Sequence, residues 1–345
     1  MPGIFDAKMF NAEIFEGYRQ SIPDPVINAL LESGAVVEDT ALGARFTEDG
    51  GNYAIEAMDA PLTGTADNYD GVSNINLDSQ DTYVQGKIVI GRAHGWQEKD
   101  FAEDITRVDW MERIARKMNA YFAGVHMRDI YATLTGIFKI TAGSFSTKHT
   151  YDITGTGTGE IGITSLNDGT QAAMGDHKSM IQLALMDSLM ATKLENLGLL
   201  NFVQGTDKDG LKRDTTMATW GGRTVLVSDG VPMATGAAGG ADKAHQIILL
   251  GSGAIRHGKA PVKVPNEMGR NALTNGGLNY LVGRTRDLWV PSGIHFTNKS
   301  VATLSPTVAE LEAAANWTLV TDGSASSTKY IDPKLVPIGR ILALG

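Results

Sequence analysis

From Met111 to Phe138 the apolar residues return every three or four positions: Met111, Ile114, Met118, Tyr121, Phe122, Val125, Ile130, Leu134 and Phe138. That spacing places them on one face of a helix. Thr106 and Asp109 supply a Thr-x-x-Asp capping box ahead of the run, and Gly136 a late stop. The predicted helix, about 107–137, is about 40 Å long at 1.5 Å per residue, about twice the common length. A rod of that length outruns the core of an ordinary domain. It reads as a strut, and something extended has to lie along it.

The pattern differs on either side of the strut. Residues 1–44 hold a short amphipathic stretch (Phe5, Met9, Phe10, Ile14, Phe15, Tyr18), a break at Pro23–Pro25, and a second helical piece opened by Asp24-Pro25. Over 45–95 the period becomes two: "NYAIEA" runs out and "YVQGKIVI" runs back, with Val84, Ile88 and Ile90 on one face. A polar, turn-rich tip lies between them. A two-stranded ribbon is marginal alone, so this one is expected to lean on a neighbouring copy of the chain.

Residues 141–165 read as irregular strand and loop. A compact α/β region follows. "MIQLAL" is a buried strand, and Asp187 caps a helix over "SLMATKLEN" that stops at Gly198. "GRTVLVSDG" and "HQIILLG" are further strands. Residues 261–297 are extended and carry Arg270, Arg284 and Arg286, Ser305-Pro306 opens a short helix, and a last strand lies near Val336–Leu342.

Composition narrows the function. The 345 residues are 42% hydrophobic, which marks a folded chain, and no apolar run reaches membrane-span length. With no cysteine there is no disulfide, thiolate nucleophile or zinc–thiolate site. A net charge of −9 is the opposite of a dedicated nucleic-acid binder's footprint.

Several motifs suggest chemistry without completing it. "GAIRHGKA" (253–260) follows a phosphate-binding loop until its last position, where Ala260 replaces the magnesium-binding Ser or Thr, and Pro261 opens an extended run. "GTGEIG" (157–162) fits G-x-G-x-x-G, but a loop is expected after it where a dinucleotide site needs a helix. "GTDKDG" (205–210) lacks both essential carboxylates of a calcium loop. Ser326–Lys329 spells S-x-x-K without partner motifs, the seven histidines form no H-E-x-x-H pair, and His126 reads as a satisfied core or interface residue. No catalytic, cofactor or metal site is expected.

An arm, a ribbon, a strut and an α/β module in that order resemble the major capsid proteins of tailed bacteriophages, which have the Hong Kong 97-like fold. The resemblance runs nearly end to end. It is carried in order by "GWQEKDFAEDITRVDWMERIARKMNAYFA", "MGDHKSMIQLALMDSLMATKLENLGLLNFV", "WGGRTVLVSDGVPM", "ILLGSGAIRHG", "VPNEMGRNALTNGGLNYLVGRTRDLWVPSGIHF" and "SPTVAELEAAANWTLV". It implies an α+β fold with an N-terminal arm (1–44), an extended loop (45–95), a peripheral domain with a spine helix (96–140 and 261–330) and an axial domain (141–260 and 331–345). The implied function is self-assembly into pentamers and hexamers of an icosahedral shell around double-stranded DNA, in a virion assembled in the bacterial cytoplasm. The implied partners are copies of itself, a portal, a scaffolding protein, a decoration protein in some relatives, and DNA held weakly without sequence specificity; no membrane is implied.

Two departures are specific. The loop tip from Met58 to Asp81 has no lysine, and Lys87 lies on the returning strand, so the isopeptide weld of some relatives is not expected. The short arm from Met1 implies a separate scaffolding protein or none. Arg45, Arg92, Glu98, Asp100, Arg270, Arg284 and Arg286 are the candidates for ion pairs between subunits. The alternatives are an encapsulin-like nanocompartment shell and, more remotely, a nucleotide-binding enzyme using 253–260.

Overall fold

The computed structural model describes residues 25–345 apart from 49, 61, 63, 73, 76, 78–79, 81, 107–109, 156, 207–211, 238–243 and 323–327. The amphipathic stretch of the arm, Asp109 of the expected capping box, the centre of "GTDKDG" and Ser326 lie outside the described residues. The strut is a helix of 28 residues, Trp110–Ile137. Its first half packs Ala115, Met118 and Phe122 on Leu281. Its second half, with Met127, Ile130, Leu134 and Ile137, enters the largest core beside Leu183, Leu250, Trp289 and Phe296. Leu281 and Trp289 belong to one sheet, Leu183 and Leu250 to another. The helix is long because it braces both.

The first sheet is five-stranded and centres on Leu278–Pro291, 14 residues long. Ile90–Lys99 and Asn266–Asn271 pair with it antiparallel, as does Ile255–Lys259, which also pairs in parallel with Val36–Glu38. This sheet therefore takes one strand from the segment expected as arm and another from the segment expected as axial domain. The second sheet has seven strands in the order Thr150–Asp152, Ile338–Leu344, Ala244–Gly251, Ile181–Met186, Arg223–Val227, Lys212–Trp220, Leu200–Thr206. The "MIQLAL" strand is buried on both sides. Leu183 and Leu185 join the core shared with the long helix, while Ala184 and Met186 meet Leu166, Met174, Met190 and Leu194 of two covering helices, Ser165–Met174 and Ser188–Asn196. Asp187 caps the second of these by accepting from Met190 N at 3.0 Å, and Gly198 follows at φ 65°.

Four sequence expectations change. Gly136 lies inside the helix rather than stopping it, and a Cβ there would sit 2.2 Å from Leu311 O and 2.6 Å from Trp317 Nε1. Its role is close approach. "GTGEIG" is followed after two residues by the Ser165–Met174 helix, so the intervening loop is shorter than expected. Thr307, not Ser305-Pro306, opens the Val308–Glu312 helix, through a reciprocal capping box with Glu310. Most of "GAIRHGKA" is the strand Ile255–Lys259, with Gly258 pressed against Leu42, where an added Cβ would sit 2.7 Å away. No cradle of amides at a helix start exists there for a phosphate.

Candidate assembly surfaces

The ribbon is formed by Tyr53–Asp59 and Thr82–Ile88, antiparallel, with Asp59 opposite Thr82. Its base is not the simple apolar face that alternation predicts. Ile90 belongs to the next strand, and the returning strand turns Gln85 and Lys87 inward, both buried. Gln85 Nε2 donates to Pro291 O at 3.0 Å and Ile294 O at 2.9 Å. Tyr53 Oη donates to Phe296 O at 2.8 Å, and Gly86 N to His295 Nδ1 at 2.6 Å. Only glycine fits at position 86, since a Cβ would fall 2.0 Å from Tyr53 Oη.

Lys87 pairs with Glu56, and Arg256 bridges Glu56 at 3.5 Å, Gln85 Oε1 at 2.8 Å and Asp39 at 3.8 Å. Burial pushes the Lys87 ammonium below its usual range despite Glu56 beside it. Burial works against charge on Glu56 too, but Lys87 and Arg256 outweigh it and hold the carboxyl low. Sequence reading missed this cluster because each of its polar residues fits an exposed strand face equally well. Its buried members make a rigid root.

Beyond that root the described residues form no helix or strand and expose large apolar side chains. Leu62 is 85% exposed, Tyr69 90%, Val72 90% and Leu77 93%. A second exposed group gathers at one end of the five-stranded sheet. Leu273 there is 97% exposed, and Phe101 and Ile105 on the helix Asp100–Thr106 are also open. Isolated exposed apolar residues are ordinary, but groups of this size mark surfaces that other chains cover.

The seven residues singled out in the sequence fall into distinct settings. Arg92 reaches Asp129 with its Nε at 3.1 Å and Nη2 at 2.7 Å, and Pro306 O with Nη1 at 2.9 Å. Burial raises the Asp129 carboxyl in spite of that guanidinium. Asp100 and Arg270 come together, with Asn279 Nδ2 donating to Asp100 at 2.7 Å. Arg284 pairs with Glu267 at 2.7 Å, and Arg286 donates to Gly51 O at 3.1 Å and Asn52 Oδ1 at 2.6 Å at the ribbon's foot. Glu98 is buried on the strand opposite Asn279. Arg45 lies in the helix Thr40–Glu48, its side chain outside the described residues. Among the described residues no group of three or more His, Asp or Glu side chains could hold a metal ion. No helix among them is long and apolar enough to cross a membrane.

Two sheets braced by one long helix, with a ribbon that exposes apolar side chains, can be compared with known proteins. No family model matches the chain. It is 27% identical over 303 residues to the major capsid protein of Bacillus phage SPP1, covering 86% of this chain and 88% of that one. Its structure is similar to the capsid of Helicobacter pylori bacteriophage KHP30, with a TM-score of 0.54 at 10% identity over 94% of this chain and 92% of that one. This is the Hong Kong 97-like capsid fold. The capsid of Ralstonia phage GP4 shares it, with a TM-score of 0.52 at 12% identity over 75% and 83% of the two chains.

Proposed function

We propose that the chain is the major head protein of a tailed bacteriophage and builds pentamers and hexamers of an icosahedral shell around double-stranded DNA. The exposed apolar ribbon tip carries this reading. Its root is locked into the body by buried polar contacts, while Leu62, Tyr69, Val72 and Leu77 remain uncovered on a single chain. Burial drives association at about 25 cal/mol per Å² of apolar surface removed from water. A second copy supplies that cover in a closed, symmetric assembly. The named phage relative favours a viral shell over a nanocompartment.

Within this reading, 1–44 is the arm, 45–95 the loop laid over a neighbour, 96–140 with 261–330 the peripheral domain, and 141–260 with 331–345 the axial domain at capsomer centres, except that Val36–Glu38, Ile90–Lys99 and Ile255–Lys259 go with the peripheral domain's sheet. Arg270, exposed, and Arg284, half-buried, are each paired within one chain and placed to exchange partners across subunit boundaries; Arg92 and Arg286 instead brace the monomer. Electron microscopy of the purified chain tests the proposal. Hollow shells or ring-shaped capsomers are expected, and a monodisperse monomer at every concentration, with a scaffolding protein supplied, overturns it. DNA rather than cargo enzymes inside particles from infected cells separates the viral from the compartment reading.

A further inference from the structure

The outward face of the long helix carries a basic stripe. Between Arg113 and Arg128 the sequence "RIARKMNAYFAGVHMR" contains no acidic residue. Arg113, Arg116, Lys117, Ala120, Tyr121, Gly124 and Arg128 are its exposed positions. Their spacing puts all seven on one side of the helix. Arg113 and Arg128 are about 22 Å apart along the axis at 1.5 Å per residue. Between the cations the surface is low, since a Cβ on Gly124 would meet nothing within 4 Å. This is an exception in a chain whose net charge is −9.

Along the central strand of the five-stranded sheet, residues that meet the helix bearing the stripe alternate with residues that meet the ribbon's foot and the helix Thr40–Glu48. Along Leu278–Pro291, Leu281 packs on Met118 and Phe122, Gly283 closely faces Phe122, and Asp287 lies 3.7 Å from His126 on the long helix. Arg286, by contrast, holds Asn52 at the ribbon's foot, and Leu288 and Val290 pack on Leu42 and Phe46. Every copy in a closed shell turns the same side outward. The acidic ribbon tip, with Asp67 and Asp70 and no lysine or arginine from Asp59 to Gly86, is the other anionic segment in the assembly, and scoring shell formation beside DNA binding separates the two.

We propose that the Arg113–Lys117–Arg128 stripe is the surface on which the shell meets the phosphates of its enclosed duplex DNA. This rests on the capsid reading. The low Ala120 and Gly124 positions let a phosphate backbone approach between the cations, and the contact carries no base readout. Each cation that neutralises a phosphate adds about 0.9 to the slope of log affinity against log salt.

The test titrates the full chain with short mixed-sequence duplex DNA across a salt series, comparing wild type with a variant carrying Arg113→Gln, Lys117→Gln and Arg128→Gln. Shell formation is scored by electron microscopy in the same preparations. The variant is expected to assemble, to bind at least tenfold more weakly at low salt, and to lose about 2–3 from its salt slope. Wild-type shells together with unchanged DNA binding by the variant overturn this inference alone, whereas failure of the wild type to assemble overturns the capsid reading. A variant that binds DNA normally yet cannot assemble assigns the stripe to contacts between copies, and so also overturns it. Should the variant misfold, acetylation of Lys117 in the wild type decides: protection by duplex DNA is expected, and equal labelling with and without DNA overturns the proposal.

Discussion

At the scale of single residues, what surrounds a side chain decides its effect more than its type does. Gly124 and Gly136 sit on one helix 12 residues apart, one facing open space and the other facing Leu311 O and Trp317. Gly124→Ala is expected to stabilise the chain by about 0.4–1 kcal/mol through the lower entropy of the unfolded state. Gly136→Val should destabilise it by about 1–3 kcal/mol through overpacking. Urea unfolding of the two variants checks both signs.

His295 gives a pH prediction. Its Nδ1 accepts from Gly86 N at the ribbon root, so the ring must be neutral at that atom. Burial, and to a lesser extent Lys299, depresses its pKa below 6.5 in the folded chain. Burial likewise depresses that of His149, whose Nδ1 lies 2.6 Å from Ile338 O. The unfolded chain takes up these protons first as pH falls. Their contribution is therefore complete above about pH 6.5 and is lost as pH drops through the folded values. The urea midpoint should fall between pH 7.5 and pH 5, and fall less in a His149→Gln, His295→Gln double variant. At pH 7.5, His295→Leu should cost about 1–3 kcal/mol, because the Gly86 N–H loses its acceptor.

At the scale of elements, the ribbon divides into a root that belongs to the monomer and a tip that does not. The root is held by Gln85, Tyr53, Gly86 and Arg286, which bond to strands distant in sequence. The tip has apolar residues without a covering surface. Replacing residues 60–81 by Asn-Gly would close the strands at the Asp59–Thr82 pair with a two-residue turn. This variant loses the buried Ala60 and should cost about 0.5–3 kcal/mol of stability, yet still fold, and form no shells by negative-stain microscopy. Shells of normal yield would remove the tip from the assembly contacts.

At the scale of the whole molecule, the absence of lysine at the tip and the burial of Lys87 against Glu56 leave the shell without an evident covalent weld. Particles boiled in denaturant should run as a single monomer band. A ladder of multiples would show cross-linking through another residue. The long helix joins two cores, so its anchorage bears on the stability of the whole chain. The pair Arg92–Asp129 is a point at which that can be tested. Asp129 is almost fully buried, and Asp129→Ala leaves the guanidinium without its main partner, a loss of about 3–5 kcal/mol in comparable buried pairs.

The strut, the "MIQLAL" strand, the Asp187 cap and the ribbon strands were legible along the chain because each depends on near neighbours. Helical period, capping and strand alternation are interactions over a few residues, and the printed order of residues determines them. The ribbon root, the partner of Arg92 and the reason for Gly136 were not legible, because each joins segments far apart in the chain and side-chain type alone cannot name a distant acceptor. Gln85, Lys87 and Arg256 read as solvated polar residues until the fold removes water from around them and supplies Pro291 O, Glu56 and Asp39. The amino-acid sequence by itself thus determined the elements and their order. Only the tertiary structure decided which polar groups are buried and which apolar groups are left exposed, because burial is a property of the packed chain.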